Sequence, residues 1–212
     1  MGKMKLCLCL LILSTIFLTG CQVSYPKVPA DRAQNIRPLL PGTPLPSMSL
    51  EASGNQKFNL NQFIGGRPAV LMFYRGGWCP SCSDYLVSLQ KVMPELEKLG
   101  YQLVAITPEK PESLSKYGKI RNLDYKFLSD STMKATTAMG IAFKASDAQM
   151  ETYKKTYQVD LELDSGYKHR LLPVQAVFIV GTDGMVKYTY TDPNYKQWLS
   201  PKRILEIAKA EL

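Results

Sequence analysis

The sequence predicts an α/β fold: a mixed central sheet flanked by helices. Residues 69–74, 101–107 and 174–180 are continuous apolar runs, the pattern of strands buried on both faces. A helical spacing of apolar residues separates the first two runs, so those strands should be parallel with a right-handed crossover. A Thr182-Asp183-Gly184 turn follows the third run and predicts a late antiparallel hairpin at one side of the sheet.

Taken in order, residues 48–50 and 57–60 read as a strand pair around a Ser53-Gly54-Asn55 turn. After the strand at 69–74, residues 80–99 space Leu86, Leu89, Val92, Met93, Leu96 and Leu99 at helical intervals. Gly100 ends that helix and Pro94 should bend it. The strand at 101–107 is followed by a helix over 111–123, a short strand over 125–128 and a short helix over 132–138. Residues 147–157 read as a mostly exposed helix. The strand at 174–180 turns into 185–190, and residues 201–212 close the chain as a helix.

The N-terminus reads as an address. Lys3 and Lys5 precede a thirteen-residue apolar run, Leu6 to Leu18, which describes an export signal and falls short of the ~20 residues that cross a bilayer. Leu18-Thr19-Gly20-Cys21 resembles the lipobox of bacterial lipoproteins. That resemblance implies a signal peptide over 1–20, lipidation of Cys21 and, with Gln22 following, an outer-membrane anchor facing the periplasm. Two or three acyl chains hold a protein stably at a membrane. Residues 21–44 then form a proline-rich tether, and a single domain spans 45–212. Six prolines between 22 and 46 leave no hydrophobic period there.

This address sorts the 5 cysteines. Cys7 and Cys9 leave with the signal and Cys21 carries lipid, so Cys79 and Cys82 remain as thiols. The net charge of +8 loses Lys3 and Lys5 and becomes +6. The lysines are scattered, with no basic helix and no phosphate loop, so no nucleic-acid partner is expected. The 1 histidine, His169, excludes a multi-histidine metal site, and no cofactor is expected.

Trp78-Cys79-Pro80-Ser81-Cys82 follows a buried strand and opens a helix. Three residues apart, the thiols share one turn and are close enough to form a disulfide. Cys79 falls at the N-cap or first position, where free amides and the positive helix end favour a thiolate, the reactive species. Cys82, one turn in, suits a resolving role. Pro80 gives up an amide the first turn does not use. Gly76 and Gly77 clear the approach, and Trp78 offers an apolar face to a substrate. A structural zinc would need two further ligands where only His169 is on offer, and Ser83 replaces the histidine of a haem-attachment motif. A structural disulfide over so short a loop stabilises little.

Residues 73–82 (FYRGGWCPSC) resemble the peroxiredoxin-like branch of the AhpC/TSA–redoxin group in the thioredoxin superfamily. The likeness extends over roughly residues 41–210, through Pro41-Gly42-x-x-x-Pro46, Leu103–Pro108, Leu128-Ser129-Asp130, Gly140–Phe143, Leu172–Val180 with Asp183-Gly184, and Asp192–Tyr195. It implies a thioredoxin-like fold and a redox-active pair. The group's Pro-x-x-x-Thr-x-x-Cys pattern places Arg75 at the proline, Cys79 at the threonine and Cys82 at the peroxidatic cysteine. Thioredoxin-type proteins attack with the first cysteine, here Cys79. Gln175 falls where peroxiredoxins place an arginine and thioredoxins a cis-proline, with Pro173 two residues earlier. Arg75 and Arg170 are candidates for the missing positive charge.

The leading functional expectation is a membrane-anchored thiol–disulfide oxidoreductase acting on a disulfide-bearing protein, in which Cys79 attacks and Cys82 resolves. The alternative is a thiol peroxidase acting on hydroperoxides, with one cysteine oxidised to a sulfenate and the other condensing with it. A third is a non-catalytic envelope protein with a structural disulfide. Supporting candidates are Trp78, Arg75, Pro173, Gln175 and Glu109, the last as an acid or base. His169 and Arg170 read as a solvated loop pair, and Tyr188, Tyr190, Tyr195 and Trp198 as an amphipathic edge.

Overall fold

A computed structural model of the protein describes residues 24–114, 123 and 126–211. The chain opens its sheet with the antiparallel strands β1 (Ser49–Glu51) and β2 (Lys57–Asn59). Their turn sits where expected, with Gly54 and Asn55 at φ of 86° and 61°. The second strand stops short of Leu60. The Asn59 side chain accepts a hydrogen bond from the Gln62 N–H (3.2 Å) and caps an unexpected helix, α1 (Leu60–Ile64).

β3 (Ala69–Phe73) and β4 (Gln102–Thr107) run parallel, with Ala69 opposite Gln102. The bent helix expected between them is two helices, α2 (Pro80–Gln90) and α3 (Met93–Lys98). Pro94 lacks the N–H an unbroken helix would use, so the chain breaks at Lys91–Val92 and restarts with the proline in the first turn. Residues 111–114 are helical, and most of the helix expected over 111–123 lies outside the described residues.

β5 (Lys126–Ser129) extends the parallel set beside β4. α4 (Lys134–Ala138) begins where the buried Asp130 carboxylate accepts from the Ala135 N–H (3.2 Å), the Thr136 N–H (2.7 Å) and the Thr136 hydroxyl (2.7 Å). β6 (Ala142–Lys144) follows. Then comes α5 (Asp147–Tyr157), whose Ser146 and Gln149 form a reciprocal capping box. α6 (Leu161–Ser165) is capped by Asp160. β7 (Leu171–Pro173) pairs with β6 in a small second sheet, so β8 (Ala176–Val180) begins two residues later than the apolar run predicts. β9 (Val186–Thr191) returns antiparallel to β8 as expected, and α7 (Pro201–Ala210) follows. Sequence periodicity missed β6, β7, α1 and α6, all too short to show a period.

The main sheet has seven strands in the order β2-β1-β5-β4-β3-β8-β9. Because β3 is hydrogen-bonded on both sides, its alternate residues bury in two layers. Val70 and Met72 face α2, α3 and α7 with Leu86, Leu96 and Ile204. Leu71 and Phe73 face α1 and α4 with Leu60 and Ala135, and Phe73 meets Phe178 edge-on at 5.8 Å. From residue 24 onward the proline-rich segment includes a short 3-10 turn (Ala33–Asn35) and lies along the domain rather than standing free of it. Backbone bonds join Ala30 to Ala142, Arg37 to Gly140, Leu39 to Met139 and Gly42 to Val186.

Burial raises the Asp130 pKa from 3.8 to about 6, against the hydrogen bonds from Thr136 and Ala135 that lower it. A carboxyl held above its unfolded value contributes stability below about pH 4 and loses it as pH rises to about 6. Urea unfolding between pH 4 and 7 should therefore show stability falling across that window by roughly 2–3 kcal/mol for this group. Asp130→Asn should flatten the slope whatever its absolute stability; an unchanged slope would contradict the assignment.

Candidate active site

β3 ends at Phe73 and α2 begins at Pro80, so residues 74–79 form a short loop at the end of the central strand. The loop is fixed from behind. The Tyr74 N–H donates to the Ile106 carbonyl (3.0 Å), and the Gly77 N–H donates to Glu109 Oε2 (2.9 Å). Glu109 is fully buried, and the same oxygen accepts from the Thr107 hydroxyl at 3.0 Å. The predicted acid–base candidate thus holds the backbone of the loop. The Ser83 hydroxyl adds a bond to the Gly77 carbonyl (3.2 Å).

Gly76 adopts φ +145°, and a Cβ there would run into the Trp78 indole. Its role is to let that ring fold back over the backbone, not to clear an open approach. The indole N–H donates to Asp164 Oδ2 at 3.1 Å, and the ring packs 5.7 Å from Tyr153 and 5.6 Å from Tyr157. Trp78 is therefore engaged by its own chain, contrary to the expectation of a free apolar face.

Cys79 is the N-cap of α2, Pro80 its first residue and Cys82 its third. The two cysteines form a disulfide with Cα atoms 5.3 Å apart. Both are buried, at 1% and 0% exposure. The Ser81 hydroxyl lies 3.5 Å from Cys79 Sγ and donates to the Tyr195 carbonyl at 3.1 Å. After reduction both sulfurs would sit in the first turn, where the helix end favours the thiolate.

Arg75 is only 4% exposed. Its guanidinium carbon lies 4.6 Å from the centroids of Tyr153 and Tyr195 and 5.2 Å from that of Trp78. Each such contact contributes about 0.5–2 kcal/mol, against the larger cost of burying a charge without a counter-ion. Burial lowers the Arg75 pKa from its ordinary value, opposed by the phenols of Tyr153, Tyr157 and Tyr195. Among the described residues its Nε and Nη2 have no hydrogen-bond partner.

Gln175 is buried beside this group, and its amide nitrogen donates to the carbonyls of Asn194 (2.8 Å) and Gln197 (2.5 Å). It fastens the 194–197 segment, which carries Tyr195 into the cage. Pro173 ends β7 in the trans form; among the described residues there is no cis peptide. Arg170 is committed elsewhere, to Asp147 (2.6 Å) and Glu162 (3.0 Å). His169 is bonded to the Ser131 carbonyl and the Leu171 N–H. Of the two candidate cations, the structure brings Arg75 to the site and leaves Arg170 out. Sequence reasoning missed Ser81, Tyr153, Tyr157 and Asp164. The tyrosines carried one readable signal, an i, i+4 pair on one helix face. Trp198, read as part of an edge, stacks on Tyr85 at 4.2 Å.

A sequence profile described as the AhpC/TSA family matches residues 41–189. Peroxiredoxin Bcp of Escherichia coli (strain K12) is 28% identical over 133 residues, which cover 63% of this chain and 84% of that protein. Peroxidoxin BcpB from Mycobacterium tuberculosis superposes with a TM-score of 0.62 at 17% identity, covering 80% of this chain and 96% of that one. Reduced Prx3 in complex with H2O2 from Vibrio vulnificus gives 0.65 at 16%, covering 80% and 99%. At these identities the superpositions bear on fold alone, and they bear out the thioredoxin-like architecture.

Burial raises the Asp164 pKa from 3.8 to about 6, while the Trp78 N–H and the Lys110 charge pull it down. In a Trp198→Phe background Trp78 is the sole tryptophan, because the chain has 2. Its fluorescence should titrate with a midpoint near pH 6 as Asp164 ionises against the indole. Asp164→Asn should abolish the transition; a transition that persists would break the link.

Proposed function

The chain belongs to the AhpC/TSA family and is a peroxiredoxin-type thiol enzyme, and from that premise we propose that it reduces hydroperoxides through the Cys79–Cys82 pair. The observation that carries this reading is the disulfide itself, with both cysteines at or below 1% exposure. Disulfide exchange with a folded protein would bring a whole surface up to a buried pair, whereas a hydroperoxide, and the small thiol that later re-reduces the disulfide, need only a narrow approach. This reverses the order of the two redox expectations drawn from the sequence. The peroxidase names among the relatives support it further.

The family pattern assigns the attack to Cys82. Its thiolate displaces on one peroxide oxygen, an S–O bond forms, the O–O bond breaks and the alkoxide leaves to take up a proton. The Cys79 thiol then attacks the sulfenic sulfur, water leaves and the observed disulfide forms. Two thiols are oxidised per hydroperoxide reduced. A small external thiol must restore the pair; the relative potentials set how far that reduction goes, and thiolate character and access set how fast. The helix end stabilises the thiolate, and the Ser81 oxygen beside Cys79, its own proton given to the Tyr195 carbonyl, is placed to accept from the reduced resolving thiol.

Cys82→Ser should lower hydroperoxide consumption at least 100-fold. Cys79→Ser should still form one sulfenate per chain, trapped by dimedone, while losing at least tenfold in steady-state turnover. Mixed disulfides with proteins accumulating on Cys82→Ser, with no peroxide consumed by the parent, would favour the oxidoreductase instead. If neither variant differs from the parent, the pair is structural.

We further propose that Cys21, outside the described residues, anchors the mature chain in the cell envelope through lipid. Membrane fractionation should find the parent with the membrane and Cys21→Ser in the soluble fraction; equal distribution would remove the anchor.

A further inference from the structure

Beside the redox pair lies a cavity of about 270 Å³, lined in part by Arg75, Phe143, Tyr153, Tyr157, Gln175 and Tyr195. A water takes up roughly 30 Å³ in the liquid, so this space is several times what a peroxide group requires. Neither Cys79 nor Cys82 lines it. The link to them is Trp78, which contacts the Arg75 guanidinium and directly precedes Cys79.

We propose that this cavity binds a small organic carboxylate, its charged end on Arg75 and an apolar body against the rings of Phe143, Tyr153 and Tyr157. Two features of the site carry the inference. The guanidinium is almost wholly buried, and its Nε and Nη2 lack partners among the described residues. Among the described residues no carboxylate pairs with it: the groups that favour its charge are phenols, and the acidic residue of the lining, Asp192, accepts from the Asn194 N–H at 2.8 Å. Arg32 also reaches the lining, but it is exposed and lies 3.5 Å from Asp31, so the charge available inside the cavity is that of Arg75. A planar guanidinium fork matches the two oxygens of a carboxylate, and an apolar tail exchanges water for aromatic wall. A neutral ligand of the same shape leaves the charge unmatched.

The test needs no turnover, so it stands apart from the peroxidase reading. Titrate the oxidised full chain by calorimetry with 3-phenylpropanoate and with its uncharged counterpart, 3-phenylpropanol. The carboxylate should bind at least tenfold more tightly than the alcohol. Arg75→Met should erase that preference and Arg75→Lys should keep part of it. Equal affinity for acid and alcohol in the parent overturns the proposal even if the variants do not fold. So does an undiminished preference in Arg75→Met. During turnover of hydrogen peroxide, competitive inhibition by 3-phenylpropanoate marks the site as one for the carboxylate of an organic hydroperoxide. A lowered kcat at constant KM marks it as a site for a separate carboxylate effector.

Discussion

One hydrogen bond organises the site: the Gly77 N–H on the buried carboxylate of Glu109. It ties the loop after β3 to the end of β4, the neighbouring parallel strand. Everything chemical in the molecule hangs from that loop. Arg75, Trp78 and Cys79 are within two residues of Gly77, and Cys82 follows in the first turn of the helix the loop introduces. Glu109 is in turn fastened by the Thr107 hydroxyl of β4, so the position of the sulfurs is set by the core of the sheet. A reactive pair held this way needs no metal or cofactor to place it.

The second organising element is a cation with no carboxylate partner among the described residues. Arg75 is surrounded by rings from three parts of the chain: Trp78 in its own loop, Tyr153 on α5, and Tyr195 in the segment after β9. That cage joins α5 and the 194–197 segment to the redox loop, with Gln175 and Asp164 as outer supports. Gln175 buttresses the cage by holding the carbonyls of Asn194 and Gln197, on either side of Tyr195.

The apolar runs revealed the sheet because a strand buried on both faces has a continuous signature, and β3, β4 and β8 all have it. The Cys-Pro-Ser-Cys motif was equally readable, because a helix start constrains both its proline and its first cysteine. The cage was not readable. Arg75 and Tyr195 are 120 positions apart, and nothing local distinguishes a tyrosine that covers a guanidinium from one at a wet edge. The charges of residues 147–157 predict a mostly exposed helix, and it is one; they give no sign that its single buried residue, Tyr153, packs against Trp78. Short elements such as β6 and β7 left no period to find, and their pairing is what moves the start of β8.

The central claim, that a buried vicinal thiol pair reduces a hydroperoxide, is tested most directly by stoichiometry. Titrate the fully reduced chain with hydrogen peroxide in the absence of any other thiol, count the thiols that remain and map the product by mass spectrometry. The account predicts two thiols lost for each peroxide consumed and a single new bond joining Cys79 to Cys82. Thiols that survive excess peroxide, or peroxide consumed without that disulfide appearing, would contradict it.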